Sequence, residues 1–251
     1  MKVKGSDMKK IAFWGALAVM LAGCTAKDES LKMITEATFP PYEFLRGNEI
    51  VGIDVEICKA VAMKLGRTFA VESVNFDSVI PTVISGKADL AAAGITVTED
   101  RKKNVDFSIP YVKTGVVFVY KKSSPYEKGT DAKGKKVGVQ SGTTSEEFVV
   151  GQLQQQPERF DSPAAAVAAL KAGRVDVVIA DIDPAKNCVK GEADLAVSDF
   201  ITTEEYAVAI RKGQPELLTA INETIAEIKA NGQLAKWVVE YTAEADKLKE
   251  K

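Results

Sequence analysis

From residue 31 onward, short apolar runs alternate with longer stretches whose apolar residues recur at three- and four-residue spacing. Positions 31–37 read as a strand, stopped by Pro40 and Pro41, because consecutive prolines cannot enter a helix and force extended or turning backbone. Over 54–65 the residues Val55, Ile57, Cys58, Val61, Ala62 and Leu65 mark one helical face, closed by Gly66. A strand at 67–74, a helix at 76–84 and a small-residue strand at 89–93 follow; Pro81 fits that helix only near its first turn. Strand, helix, strand, helix, strand is the order of a parallel α/β sheet.

The same order returns later in the chain. A β-rich run at 115–120 leads through a polar loop, 121–134, to a strand at 136–140, and helices are expected at 146–153 and 163–172. Two residue groups echo one another. Phe76-Asp77-Ser78 leads through a helix to Gly86-Lys87-Ala88-Asp89 and a strand, and Phe160-Asp161-Ser162 leads through a helix to Gly173-Arg174-Val175-Asp176 and a strand. The separation is too long for a solenoid repeat and suits two similar α/β lobes. A second β run at 206–210, followed by helices at 215–230 and 233–241, can return the chain to the first lobe.

One turn carries candidate chemistry. After the strand at 89–93, Gly94 permits close approach, Thr98 suits an N-cap with Glu99 and Asp100 in the first helical turn, and Arg101 lies one turn in. Glycine, threonines, free amides and a guanidinium can together hold a carboxylate. The alternative is an ordinary strand-to-helix turn with a surface arginine.

Composition narrows the function. The 251 residues are 46% hydrophobic with net charge −2, giving ample core and no basic nucleic-acid surface. The absence of histidine removes triad-type bases and most zinc sites, and neither metal nor cofactor is expected. Residues 1–23 read as a signal peptide: Lys9 and Lys10 precede an apolar run at 11–20, about half the roughly 20 residues a membrane span needs. Its removal takes away four lysines and one acid, so the mature chain is more acidic. Leu21-Ala22-Gly23-Cys24 resembles the bacterial lipobox, which implies lipidation of Cys24 and a short polar tether, 24–30. Cys58 and Cys188 fall in apolar helical contexts and are expected as unpaired core thiols.

Four motifs in this order resemble the extracellular solute-binding proteins for polar amino acids (family 3), the capture components of ABC importers. They are Phe39-Pro40-Pro41-Tyr42-Glu43-Phe44, Gly52-Ile53-Asp54-Val55-Glu56, the 94–101 stretch with Val105-Asp106-Phe107-Ser108, and Gln140-Ser141-Gly142-Thr143-Thr144. The resemblance covers nearly the whole mature chain. It implies an α/β, two-lobed, type II periplasmic-binding-protein fold, each lobe a mixed, mostly parallel sheet flanked by helices, with a two-strand hinge. Residues 31–114 and 208–251 would form lobe 1, and 115–207 lobe 2.

Carried over by position, the resemblance implies that Arg101 binds a ligand α-carboxylate, helped by Thr96, Ser141, Thr143 and backbone amides. Ala93 and Gly94 would sit at the strand end, the Gly94 carbonyl accepting from the α-ammonium. Asp181 would be the charged partner of that ammonium, cap the helix that follows it, or do both. Phe39 and Phe76 would stack on the ligand side chain, with Tyr42 and Phe44 left to the core. Glu36 would face a guanidinium, ammonium or amide. Gln140, where some glutamine binders carry lysine, and Ala180, where they carry histidine, tilt the choice toward arginine, lysine or ornithine over glutamine. The implied partners are a free L-amino acid, a permease and a membrane reached through the lipid; no nucleic acid is implied, and a monomer is expected. The competing readings are an enzyme on the same fold, similar to the dehydratases of prephenate or arogenate, and a sensory module.

Overall fold

The computed structural model describes Met1 and residues 30–248. The signal peptide, Cys24 and nearly all of the tether lie outside the described residues. The chain opens with β1 (Ser30–Thr35) and a small antiparallel sheet of β2 (Thr38–Phe39), β3 (Glu43–Arg46) and β4 (Glu49–Val51). Helix α1 (Ile53–Lys64), β5 (Thr68–Ser73), α2 (Phe76–Ile84), β6 (Leu90–Ala91), the short α3 (Glu99–Lys102) and β7 (Val105–Phe107) follow. The second unit runs from β8 (Val112–Lys121) through β9 (Val137–Gln140), α4 (Thr144–Gly151), β10 (Glu158–Phe160) and α5 (Pro163–Lys171). It continues with β11 (Val177–Asp181), α6 (Ile182–Val189), β12 (Leu195–Val197) and β13 (Thr202–Tyr206). Strand β14 (Ala209–Arg211), α7 (Pro215–Ala230) and α8 (Gln233–Leu248) complete the chain.

Two mixed sheets result. The first has the order β5-β1-β6-β14-β7; the second has β10-β9-β11-β8-β12, with β13 also paired to β8. Strand β1 runs parallel to β5 and β6, as the predicted alternation requires, whereas β14 enters antiparallel between β6 and β7. Each sheet has its own apolar core: Leu31, Val55, Ile57 and Ile221 in the first, Val117, Leu170, Val178 and Leu195 in the second. Cys58 and Cys188 are buried in these two different clusters.

The sequence echo has a geometric basis. Asp89 accepts a hydrogen bond from the Lys32 amide at 2.9 Å, and Asp176 accepts one from the Lys136 amide at 2.8 Å. Each aspartate amide returns a bond to the same lysine's carbonyl. An aspartate at the start of an inner strand therefore ties down the start of its neighbour in both sheets. The upstream half of the echo diverges: Phe76 opens a helix, but Phe160 ends a strand, and Ser162 caps the helix after it.

Several boundaries differ from the sequence reading. The strand expected at 89–93 is regular only over two residues, because the Thr35 hydroxyl takes the Ala92 carbonyl. Helix α4 begins at Thr144 rather than 146, capped by Thr143, and α8 runs on to Leu248 where 241 was expected. The β run at 206–210 is split between the sheets: Tyr206 pairs with Val112 in the second, and Ala209 pairs with Ala91 in the first.

Candidate functional site

Where the two sheets face each other, a small, nearly filled cavity is lined by Phe39, Phe76, Gly94, Thr96 and Arg101 from one side and Gln140, Thr143, Thr144 and Asp181 from the other. Seven of the residues singled out in the sequence meet here: Phe39, Phe76, Gly94, Thr96, Arg101, Thr143 and Asp181. Ala93 lies beside the cavity in the hydrophobic core, and Ser141 is occupied in a strand-end bond from its amide to the Phe160 carbonyl. Glu36 stands behind Gln140, whose amide nitrogen approaches it at 3.5 Å.

Local structure explains how each group arrives. Thr98 caps α3 by accepting from the Arg101 amide at 3.1 Å, which sets Arg101 one turn into that helix. The guanidinium is buried, donating to the Thr96 carbonyl at 2.8 Å and, across the gap between the sheets, to the Gly142 carbonyl at 3.0 Å. It also lies over the Phe76 ring at 5.6 Å. Both hydrogen-bond partners are neutral carbonyls, so among the described residues the charge lacks a hydrogen-bonded carboxylate partner and part of the five-donor fork stays open. Burial pulls the guanidinium below its ordinary pKa, opposed by the fields of Glu147, Glu204 and Asp181.

Gly94 adopts φ +54°, and a Cβ there would sit 2.7 Å from the Phe39 ring, so only glycine lets that ring close over the turn. Its amide donates to Asp54 Oδ2 at 2.9 Å. Opposite, the first amides of α4 have no intrahelical acceptor and carry the positive end of the helix dipole. The Thr143 hydroxyl cannot add a donor to them, because it donates to the Gln140 carbonyl at 2.8 Å and caps Glu146. The Thr96 hydroxyl is likewise spent, on Glu204 Oε2 at 2.5 Å. At these two positions the backbone, rather than the hydroxyl, is the donor left for an anion.

Asp181 ends β11 and occupies the N-cap position of α6, but its side chain makes no capping bond. It instead accepts from the Tyr206 hydroxyl at 2.5 Å. Burial, aided by Glu204, pushes its carboxyl up to about 7, and the Tyr206 bond and Arg101 oppose that rise. Glu36 is buried and also raised, chiefly by desolvation, with Asp161 adding to it; it accepts from the Thr38 hydroxyl at 2.6 Å. Sequence reading missed Glu204 and Tyr206, whose approach comes from the crossing of β13 back toward the first sheet and leaves no local signal. Among the described residues, no cluster of histidine, cysteine and acids can hold a metal.

The sheets are also joined beside the cavity. The Tyr42 hydroxyl donates to Asp183 at 2.6 Å, and Lys190 pairs with Asp246 at 2.7 Å. A larger open groove of about 1250 Å³ shares Thr96 and Thr144 with the cavity. It holds Lys102, Lys113, Glu147, Glu204 and Glu205 in contact with solvent, whereas the smaller space brings buried Arg101 and Asp181 together.

Residues 31–244 match the model of bacterial extracellular solute-binding proteins, family 3. A putative ABC transporter arginine-binding protein 2 of Escherichia coli is 32% identical over 90% of this chain and 95% of its own length. Among solved structures, an amino-acid ABC transporter substrate-binding protein of Streptococcus pneumoniae bound to L-arginine is 34% identical, with a TM-score of 0.80, covering 86% of this chain and 96% of that one. An ancestral arginine-binding protein bound to glutamine is 40% identical, with a TM-score of 0.76, covering 85% and 97%.

Proposed function

The chain belongs to the bacterial extracellular solute-binding proteins, family 3, and from that premise we propose that it is a receptor that closes on free arginine and delivers it to an ABC permease. One observation carries the reading. Arg101 and Asp181, two buried ionisable groups of opposite sign, line one cavity without counter-charges hydrogen-bonded to them. Leaving such groups uncompensated is costly, and an α-amino acid brings the two missing charges in one molecule. Its carboxylate fits the open donors of Arg101 and the first amides of α4; its ammonium fits Asp181.

The side chain is chosen elsewhere. Glu36, behind Gln140 and within the field of Asp161, gives that end of the cavity an acidic character, and Phe39 and Phe76 supply flat faces. A guanidinium stacked there gains roughly 0.5–2 kcal/mol. The family is one of extracellular transport proteins, and Cys24 is our proposed lipid attachment that keeps this member at a membrane. We place the hinge where the chain passes between the sheets, after β7 and after β13.

The test is a thermal-shift screen of the purified mature protein against all amino acids, because a ligand bound only by the folded state raises the midpoint by mass action. Arginine is expected to give the largest shift, with lysine and ornithine behind it. Arg101→Ala is expected to lose about 1.5–3 kcal/mol of binding, the worth of a charged hydrogen bond. An unchanged calorimetric affinity in that variant refutes the pocket assignment.

A further inference from the structure

Behind the cavity floor lies an acidic pair. Glu43 on β3 and Asp54 on α1 are both 0% exposed. Asp54 Oδ2 accepts from the Gly94 amide at 2.9 Å and from the Tyr111 hydroxyl at 2.8 Å. Among the described residues, Asp54 Oδ1 and both oxygens of Glu43 find no donor, although the two carboxyl groups lie within hydrogen-bonding reach of one another. Two ionised carboxylates in contact in a dry core are not sustainable, since neither can donate and each repels the other. A single proton satisfies two of the three orphaned oxygens in one hydrogen bond and removes the repulsion between the two charges.

Geometry decides which residue holds it. Asp54 already receives two donors on one oxygen, which favours its charged form; Glu43 receives none. The titratable groups whose fields reach the pair are Glu36 from the turn after β1, Asp181 from the end of β11, the Tyr42 and Tyr111 hydroxyls and the Cys58 thiol of α1. These groups are acidic or neutral, so they too favour keeping the proton. The pair touches the cavity at two points: Glu43 is the ladder partner of Phe39, and Asp54 holds Gly94, the residue over which Phe39 closes.

We propose that Glu43 is protonated at neutral pH, donates to Asp54 Oδ1, and through Asp54 positions the Gly94 turn of the amino-acid pocket. Glu43 is thus a positioning residue that touches no ligand. The positional part rests on the receptor reading above; the shared proton does not.

The experiment uses the mature protein with ¹³C-carboxyl-labelled glutamate, the Glu43 signal being the one lost in Glu43→Gln. At pH 7 that carbon is expected at the protonated shift, moving to the ionised one only in the alkaline range; an ionised shift at pH 7 overturns the proposal. In Asp54→Asn, whose amide can donate to Glu43, the same carbon is expected to ionise at lower pH. Gly94 amide exchange supplies a readout without ligand. Glu43→Gln, which still has a donor, is expected to keep wild-type protection. Glu43→Met, similar in size without one, is expected to lose about tenfold, the lower end of the worth of a hydrogen bond to a charged group. Equal protection in Glu43→Met and Glu43→Gln overturns the positioning role, and if Glu43→Met does not fold, the wild-type and Glu43→Gln measurements still decide. Arginine affinity, by calorimetry, is expected to follow the Gly94 protection and to fall in wild type, but not in Glu43→Gln, as pH rises through the Glu43 transition. A wild type that binds no amino acid while showing a protonated Glu43 and a protected Gly94 refutes the receptor reading and supports the pair.

Discussion

Gly142, beside the second sheet, lies against Asp77, beside the first, and Gly142→Ala tests whether that approach belongs to a ligand-closed state. The residue has φ +76°, and a Cβ built on it would lie 2.9 Å from the Asp77 Cα and 3.0 Å from its Cβ. Backbone and a first side-chain carbon cannot swing aside, so the sheets must part by about half an ångström to restore ordinary contact at 3.4 Å. The nearest bond to suffer is Arg101 to the Gly142 carbonyl, now 3.0 Å. Stretching it past useful length costs about 1.5–3 kcal/mol, or about 10- to 100-fold in Kd. Alanine also pays about 1–2 kcal/mol for the left-handed conformation, whatever the sheets do. Gly173→Ala separates these two costs: Gly173 has φ +73° and nothing within 4 Å of its would-be Cβ. Both variants are therefore expected to lose similar stability in denaturant melts without ligand. Calorimetry with arginine is expected to show weakened binding only for Gly142→Ala. Equal affinities in the two variants would sink the idea that this contact forms part of the closed state.

Three further expectations follow from the same geometry. Glu36→Gln is expected to weaken arginine by at least about tenfold while leaving glutamine within about threefold, as loss of a buried ionic partner predicts; equal losses in parallel titrations would refute the assignment of Glu36 to the side-chain end. Asp181, with its carboxyl raised to about 7 by burial, takes up protons in the unliganded fold that an unfolded chain releases near pH 4. Its contribution to stability therefore falls as pH rises from about 4 to 7. A bound ammonium restores the ionised form, so arginine binding near pH 7 is expected to release a fraction of a proton, seen as a dependence of calorimetric heat on buffer ionisation enthalpy. Asp181→Asn is expected to abolish that release, and its persistence would assign the proton to another group. Tyr42→Phe removes the 2.6 Å bond to Asp183 that spans the two sheets. Affinity is expected to fall about 2- to 10-fold, the worth of about 0.5–1.5 kcal/mol, with little loss of unliganded stability; a drop in stability without a drop in affinity would make the bond part of the resting fold instead.

The alternation of apolar runs and helical faces carried the element order of the first half, because a strand buried on both faces and a helix buried on one leave different periodicities. Gly94, Thr98 and Arg101 were legible for a local reason: cap, turn and cation lie within eight residues, where backbone chemistry dictates their arrangement. Thr143 was legible as a position but not as a function, since its hydroxyl is drawn into capping α4. Tyr206 and Glu204 had no such local signal. They reach Asp181 and Thr96 only because β13 bridges back toward the first sheet at Thr96 and Tyr206, a pairing between residues far apart in the chain. Glu43 was read only as part of a motif, since a buried acid without a donor looks like any other glutamate until its surroundings are known.

The position of β14 also bears on how the chain is made. It lies between β6 and β7, and β7 has no other neighbour in its sheet. Until residue 209 has been synthesised, β7 has no partner along its length and the first sheet is left with an open edge there. The second sheet, whose strands all lie between residues 112 and 206, suffers no such delay. Pulse-labelled hydrogen exchange during refolding is thus expected to protect β8, β9 and β11 before β7, since pairing strands distant in sequence is slow. An exposed edge that must wait is a surface on which partly folded chains can join one another, so the interval before β14 docks is when this protein depends most on being kept apart from its own copies.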